Sequence, residues 1–238
     1  AALCGGFREL SAEPGLAEAM AASRALLASS RESAERRESG RRAARPRVPR
    51  DALAVPIVDQ ETDYSCGPAA LLGVLRYWGE RVGSERDLYD RLGTTPKDGT
   101  HPKMLVEAAK SFGLSARLAE GLGLGDLRAA LSRGETVIVD LQAWRDESAP
   151  RIPWRDAWED GHYVVLAAMS ADEAFFMDPS ADGSYAWVPL PELLDRWHDY
   201  EDESGRRRVY ERMAIFISGK TPTGADPRAL SRRPVRMK

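Results

Sequence analysis

The sequence predicts an α+β domain in which amino-terminal helices pack on an antiparallel β-sheet. Two observations carry that expectation. Helical apolar spacing dominates from about residue 66 to 113, and from residue 135 onward the chain breaks into short β-branched and aromatic runs bounded by Gly, Ser, Asp and Pro. Helices first and consecutive strands afterwards favour hairpin connections over alternating βαβ units.

The elements follow in order. Residues 1–50 are rich in Ala, Arg, Ser and Glu with few large apolar residues after Leu27, and read as a helix over roughly 15–30 followed by a charged linker. Residues 51–219 carry the folded pattern. VPIVDQ is extended, and SCGPAALLGVLRYWG is helical, with Leu71, Leu75 and Trp78 at i, i+4 and i+7. SERDLYDRLG and HPKMLVEAAKSFG supply two more helices. GETVIVDLQ, HYVVLAAM, EAFFMDP, SYAWVPL and RMAIFIS are strands. Residues 220–238 gather Arg232, Arg233, Arg236 and Lys238 among prolines and read as a basic flexible tail.

Composition excludes several function classes. The chain has 238 residues, 43% of them hydrophobic and 30% charged, with a formal net charge of −3. That balance gives no general attraction to nucleic-acid phosphate. The apolar runs TVIVDL and YVVLAAM fall far short of the roughly 20 residues a membrane helix needs. Only two cysteines occur, Cys4 and Cys66, so a disulfide framework or a cysteine-rich zinc site is not expected. Ala-Ala-Leu-Cys at the start is a poor match to a lipoprotein signal, and the isolated Gly5-Gly6 pair is too common a dipeptide to indicate self-processing.

Chemistry concentrates around QETDYSCGP, residues 60–68. Pro68 suits a first helical turn, where its missing N–H would have no partner, so Cys66 falls at a helix amino terminus. Unpaired amides and the positive end of the helix dipole favour an anion there and raise the thiolate fraction. Taken alone, Cys66 still reads more readily as a small buried apolar residue. His162 changes the balance, because it opens the strand HYVVLAAM directly after the polar turn EDG, where a core histidine would not be expected. If residues 170–172 make the following turn, Met169 faces Glu173 and Asp178 becomes the diagonal, same-face neighbour of His162, about 7 to 8 Å away along the backbone. A carboxylate at that distance reaches the imidazole, fixes its orientation and stabilises an imidazolium beside a thiolate. A one-residue slip would place the two side chains on opposite faces.

Gln60, the string Cys66-Gly67-Pro68-Ala69-Ala70, then Gly161-His162-Tyr163-Val164-Val165 and Asp178-Pro179 together resemble the bacteriocin-processing, double-glycine-leader cysteine peptidases, family thirty-nine of the papain-like clan. The segment LGTTPKDGTHPKMLVEAAKSFGL is similar to that family as well, and the match runs in consistent order over about 53–218. The resemblance implies a papain-like α+β fold, Cys66 as nucleophile, His162 as general base and acid, Asp178 as the orienting residue and the Gln60 side chain in the oxyanion hole. It implies no metal or organic cofactor and a peptide or protein substrate. The best-known members are amino-terminal domains of peptide-exporting ABC transporters. This chain has neither membrane spans nor a phosphate-binding loop, so it is expected to be a stand-alone member, with any partner exporter unknown. Two other function classes stay open: a peptide-binding module of the same fold with weak chemistry, and an amidase or acyltransferase acting on a non-peptide substrate.

Residues 142–161, QAWRDESAPRIPWRDAWEDG, form a long segment immediately before His162, and Trp144, Trp154 and Trp158 are its candidate substrate contacts. His101 and His198 have no partner that the sequence positions, and are expected to be structural or at the surface.

Overall fold

A helix that is apolar on every side has to be buried on every side, and the segment after Ser65 is such a helix. The computed structural model describes residues 46–238 except 147, 149 and 204. In it α1 (Cys66–Tyr77) buries Gly67 through Leu75 without interruption. Its close seating depends on glycine: a Cβ at Gly73 would lie 2.4 Å from the Met177 methyl, and one at Gly67 would lie 2.7 Å from Thr100 Cβ. Two shorter helices flank it, α2 (Arg86–Leu92), ended by the left-handed Gly93, and α3 (Pro102–Ser111). The expected helix over 15–30, Cys4 and Gly5-Gly6 lie outside the described residues.

The sheet is made from β1 (Ser115–Ala119), β2 (Thr136–Gln142), β3 (Gly161–Met169), β4 (Glu173–Met177), β5 (Tyr185–Pro189), β8 (Ala214–Ser218) and β9 (Val235–Arg236), in the order β1-β8-β2-β3-β4-β5-β9. Every pair is antiparallel except β5 with β9. Side chains alternate between the two faces except in β3, where the consecutive Ala167 and Ala168 both join the first core. Ile138, Tyr163, Val165, Phe175, Met177, Ile215 and Ile217 face α1 to α3, while Val137, Val139, Leu141, Val164, Leu166, Phe176 and Phe216 form a second core on the other side. That second face is covered by α4 (Leu124–Ser132) and α5 (Leu190–Arg196), two helices the sequence reading did not identify. Both faces being buried explains why the strands read as continuous apolar runs rather than as alternations.

A separate hairpin, β6 (His198–Glu203) with β7 (Arg206–Glu211), was also not anticipated. It sets acid opposite base, Glu201 across from Arg208 and Asp202 across from Arg207, and such cross-strand pairs stabilise a ribbon.

The expected flexible tail at 220–238 is corrected by the structure. β9 joins the main sheet, Asp226 N–H donates to the Ala54 carbonyl at 2.7 Å, and Ala229 and Met237 are buried. The tail's charges are engaged: Arg236 pairs with Glu192 and lies over the Trp187 ring, and Arg232 donates to the Gly183 carbonyl. Two buried apolar side chains and a two-residue ladder fasten the segment, too few to produce a periodic signal in the sequence.

Candidate active site

The register of the β3–β4 hairpin decides what faces His162. The turn is residues 170–172, as expected, but the pairing beside it places Met169 opposite Ala174 rather than Glu173. A β-bulge at Ala167 then absorbs one residue, and the ladder continues with Leu166 opposite Phe176 and Val165 opposite Met177. Extended by one residue, that ladder makes Asp178 the diagonal neighbour of His162. The Ala167 carbonyl, displaced by the bulge, accepts the Leu53 N–H at 2.9 Å and so anchors the chain that leads to Gln60.

The pair that results is buried, with the Asp178 side chain wholly inaccessible and that of His162 7% exposed. His162 Nε2 donates to Asp178 Oδ1 at 2.8 Å. The other ring nitrogen, Nδ1, is not engaged by Asp178, and the Cys66 side chain lies near enough to the imidazole to favour its charged form. Cys66 is the first residue of α1, a free thiol with its side chain partly exposed, at a place where helix amides lack intrahelical partners. Burial works against a charged ring at position 162. The Asp178 carboxylate, its hydrogen bond and the neighbouring sulfur outweigh that penalty and hold His162 pushed up to about 10.

Asp178 is held by more than histidine. Ser180 N–H donates to Oδ1 at 2.8 Å, and the Trp144 indole N–H donates to Oδ2 at 3.0 Å and Oδ1 at 3.3 Å. A carboxylate that accepts several donors is fixed in orientation as well as in charge. Gln60 joins the same loop: its N–H donates to the Pro179 carbonyl at 2.9 Å, and its side-chain oxygen accepts the Ser180 hydroxyl at 3.0 Å. Its amide nitrogen donates to the Thr62 carbonyl at 2.7 Å, which uses one of two amide hydrogens and leaves the second. Ser180 thus bridges Asp178 and Gln60. Sequence reading missed it, although Asp-Pro-Ser carries the signal of an aspartate turned back onto the amide two residues on.

The three tryptophans of the 142–161 segment separate. Trp144, expected among substrate contacts, instead has its indole on Asp178, with its backbone in the left-handed region at φ 59°. A bulky residue is disfavoured there, so the indole bond and the Trp144 N–H donated to the Lys238 carbonyl hold it in place. Trp154 has the guanidiniums of Arg145 and Arg196 3.9 and 3.5 Å from its ring centroid and borders a different cavity, one that Gly161 does not line. Only Trp158 borders a cavity that reaches Gly161, the neighbour of His162. His198 is structural as expected, with Nε2 donating to the Ala157 carbonyl at 2.7 Å. His101 does more than decorate the surface, since Nδ1 pairs with Glu201 at 2.8 Å on the rim of that cavity.

Trp144→Phe tests the indole's part. Removing one donor to a charged acceptor is expected to lower kcat about tenfold while leaving KM within about twofold. A fall in thermal stability with no change in kcat would reduce Trp144 to a packing residue.

Among the described residues no helix is long and apolar enough to cross a membrane, and no three His, Cys, Asp or Glu side chains converge to hold a metal ion. One similar solved structure shares the architecture. A structure described as a C39-like peptidase from Bacillus anthracis aligns with a TM-score of 0.52 at 19% identity, covering 70% of this chain and 96% of that one. The peptidase domain of Streptococcus ComA, a bi-functional ABC transporter, aligns at 0.48 and 18% identity over 70% of this chain and 99% of its own. An uncharacterized protein of Methanothermobacter marburgensis is 46% identical over 72 residues, 30% of this chain. The chain spans about half the length of the curated relatives it matches. Residues 54–200, which hold Gln60, Cys66, His162 and Asp178, match the model of the Peptidase C39 family, and the chain belongs to that family.

Proposed function

We propose that the protein is a cysteine peptidase in which Cys66, His162 and Asp178 act as nucleophile, acid–base group and orienting carboxylate. The observation that carries this reading is a buried imidazole hydrogen-bonded to Asp178, with a free thiol at a helix amino terminus close to the same ring. Such a thiol is placed for ionisation. Its sulfur attacks the carbonyl carbon of a peptide bond, and the electron pair moves to the carbonyl oxygen. The imidazolium gives its Nδ1 proton to the departing amine, leaving a thioester on Cys66. The neutral ring then takes a proton from water, the hydroxide adds to the thioester, and the acid product leaves with the thiolate restored. The second amide hydrogen of Gln60 suits the developing oxyanion, because the Ser180 and Pro179 contacts hold the side chain in place without further reorganisation.

The test is hydrolysis of a peptide library by the wild-type protein beside its Gln60→Ala variant. Loss of the oxyanion donor is expected to lower kcat about 10² to 10³-fold. Faster alkylation of Cys66 than of a free cysteine is expected from the same wild-type protein. If no peptide is cut and Cys66 is alkylated no faster than free cysteine, the peptidase reading falls.

A further inference from the structure

Residues 61–65, which join Gln60 to Cys66, belong to neither a helix nor a strand. Such a segment keeps its shape only through the bonds that its polar groups find elsewhere. Part of the fastening is internal. Thr62 N–H donates to Ser65 Oγ at 3.0 Å, and the Ser65 hydroxyl donates at 3.1 Å to the Thr62 carbonyl, which also accepts the Gln60 amide. The rest comes from residues at α2. Glu85 stands immediately before that helix and is 2% exposed. A carboxylate in that place ordinarily accepts from the first amides of its own helix, yet Glu85 makes no such bond.

Its Oε1 instead accepts the Glu61 N–H at 2.9 Å and the Tyr89 hydroxyl at 2.7 Å. Tyr89 meets the same loop a second time, with its ring tilted against that of Tyr64 at 6.2 Å between centroids. At the surface the Glu61 carboxylate pairs with Arg86, a contact that water screens and that adds little. The bond to Glu61 matters because of where its peptide unit lies. Two peptide units flank the Gln60 Cα. The N–H of the first, that of Gln60 itself, donates to the Pro179 carbonyl at 2.9 Å, and the N–H of the second, that of Glu61, donates to Glu85. The backbone of Gln60 is therefore pinned on both sides, and a carboxylate is the stronger of the two acceptors. A donor displaced by about 1 Å loses most of its effect on a developing charge.

We propose that Glu85 is a positioning residue for the oxyanion donor, acting through Gln60 and not on the substrate. The inference rests on the peptidase reading and extends its machinery to a residue outside the triad. Glu85 fixes the peptide unit after Gln60, and Tyr89 fixes the direction of the Glu85 carboxylate. Reach is what the position demands. Glutamate spans the gap between the start of α2 and the Glu61 amide, and aspartate is one methylene shorter.

The experiment measures peptide hydrolysis and thermal midpoints for the wild type and for Glu85→Ala, Glu85→Asp and Glu85→Gln, and repeats Glu85→Asp in a Gln60→Ala background. Glu85→Asp is included because aspartate is favoured at a helix start and keeps the fold if Glu85→Ala does not. Glu85→Ala and Glu85→Asp are each expected to lower kcat about five- to twentyfold with KM within about twofold. Glu85→Gln keeps an oxygen at the same reach and is expected to lose no more than about threefold. In the Gln60→Ala background, Glu85→Asp is expected to cost no more than about twofold, because the donor through which it acts is gone. A folded Glu85→Asp with wild-type kcat overturns the inference and leaves the peptidase reading standing. So does a loss of kcat that persists in full without the Gln60 side chain. If the wild type cuts no peptide, the inference falls, and ordinary alkylation of Cys66 takes the peptidase reading with it.

Discussion

Cys66→Ala is expected to lower peptide hydrolysis by about 10⁴-fold or more, since removal of a covalent nucleophile leaves only what binding and the oxyanion donor contribute. The fold should barely register the change. Cys66 packs against the edge of the first core but stays partly exposed at the head of α1, so its sulfur can be removed without opening a sealed cavity. Thermal midpoints of variant and wild type are expected to lie within about 2 °C, the shift of a change worth a few tenths of a kcal/mol. Cys66→Ser is expected to be nearly as inactive, because a hydroxyl in that position is not ionised by the neighbouring imidazolium. The chain carries a second cysteine, Cys4, so the alkylation measurement has to be read by peptide mapping or in a Cys4→Ser background. Retention of more than a hundredth of wild-type activity in Cys66→Ala would remove covalent catalysis by this thiol from the account.

What was legible in the sequence, and what was not, follows from how each feature is held. α1, the flanking helices and the five strongly apolar strands were readable because burial imposes a period on them. Cys66, His162 and Asp178 were readable as a set because a helix amino terminus, a strand start and a strand end are each marked by local residues. The hairpin register was reached through a turn pairing that the structure does not contain. The bulge at Ala167 offsets it by one residue, and no residue type at 167 announces a bulge. The bond of Trp144 to Asp178 was hidden for a similar reason: its position in a long segment is visible, but that bond depends on a left-handed backbone that the sequence does not signal.

The β6–β7 hairpin is the more instructive omission. HDYEDESGRRRVYE lacks apolar alternation, yet its acidic half and its basic half meet residue for residue across a Ser-Gly turn, and that complementarity was available to be read. It brings Asp199 and Glu201 to the wall of the cavity beside Gly161. That acidic wall therefore depends on an element that hydrophobic patterning does not detect.

Asp178→Asn separates the carboxylate's charge from its shape. In the wild type, Asp178 supplies the attraction that raises His162 to about 10 against burial. Asparagine retains an oxygen for His162 Nε2 but not the charge, so burial then carries the ring to or below its ordinary value near 6.5. The amide also fits its neighbours badly, because the Trp144 indole N–H and the Ser180 N–H both point at oxygens of the native carboxylate. One of them, or His162 itself, must face an NH₂ group, and that mismatch is expected to cost about 1 to 3 kcal/mol of stability. Loss of the oriented imidazolium is expected to lower kcat about 10² to 10⁴-fold.

The pH dependence gives the sharper test. A histidine whose folded pKa lies above its unfolded value contributes stability that is complete below about 6.5 and is lost as pH rises toward 10. Asp178→Asn removes that contribution. The gap in urea midpoints between wild type and variant should therefore be widest near pH 6 and narrow steadily toward pH 10. A gap that stays constant from pH 6 to 10 would mean that His162 is neutral in the resting protein, and that Asp178 orients the ring without charging it.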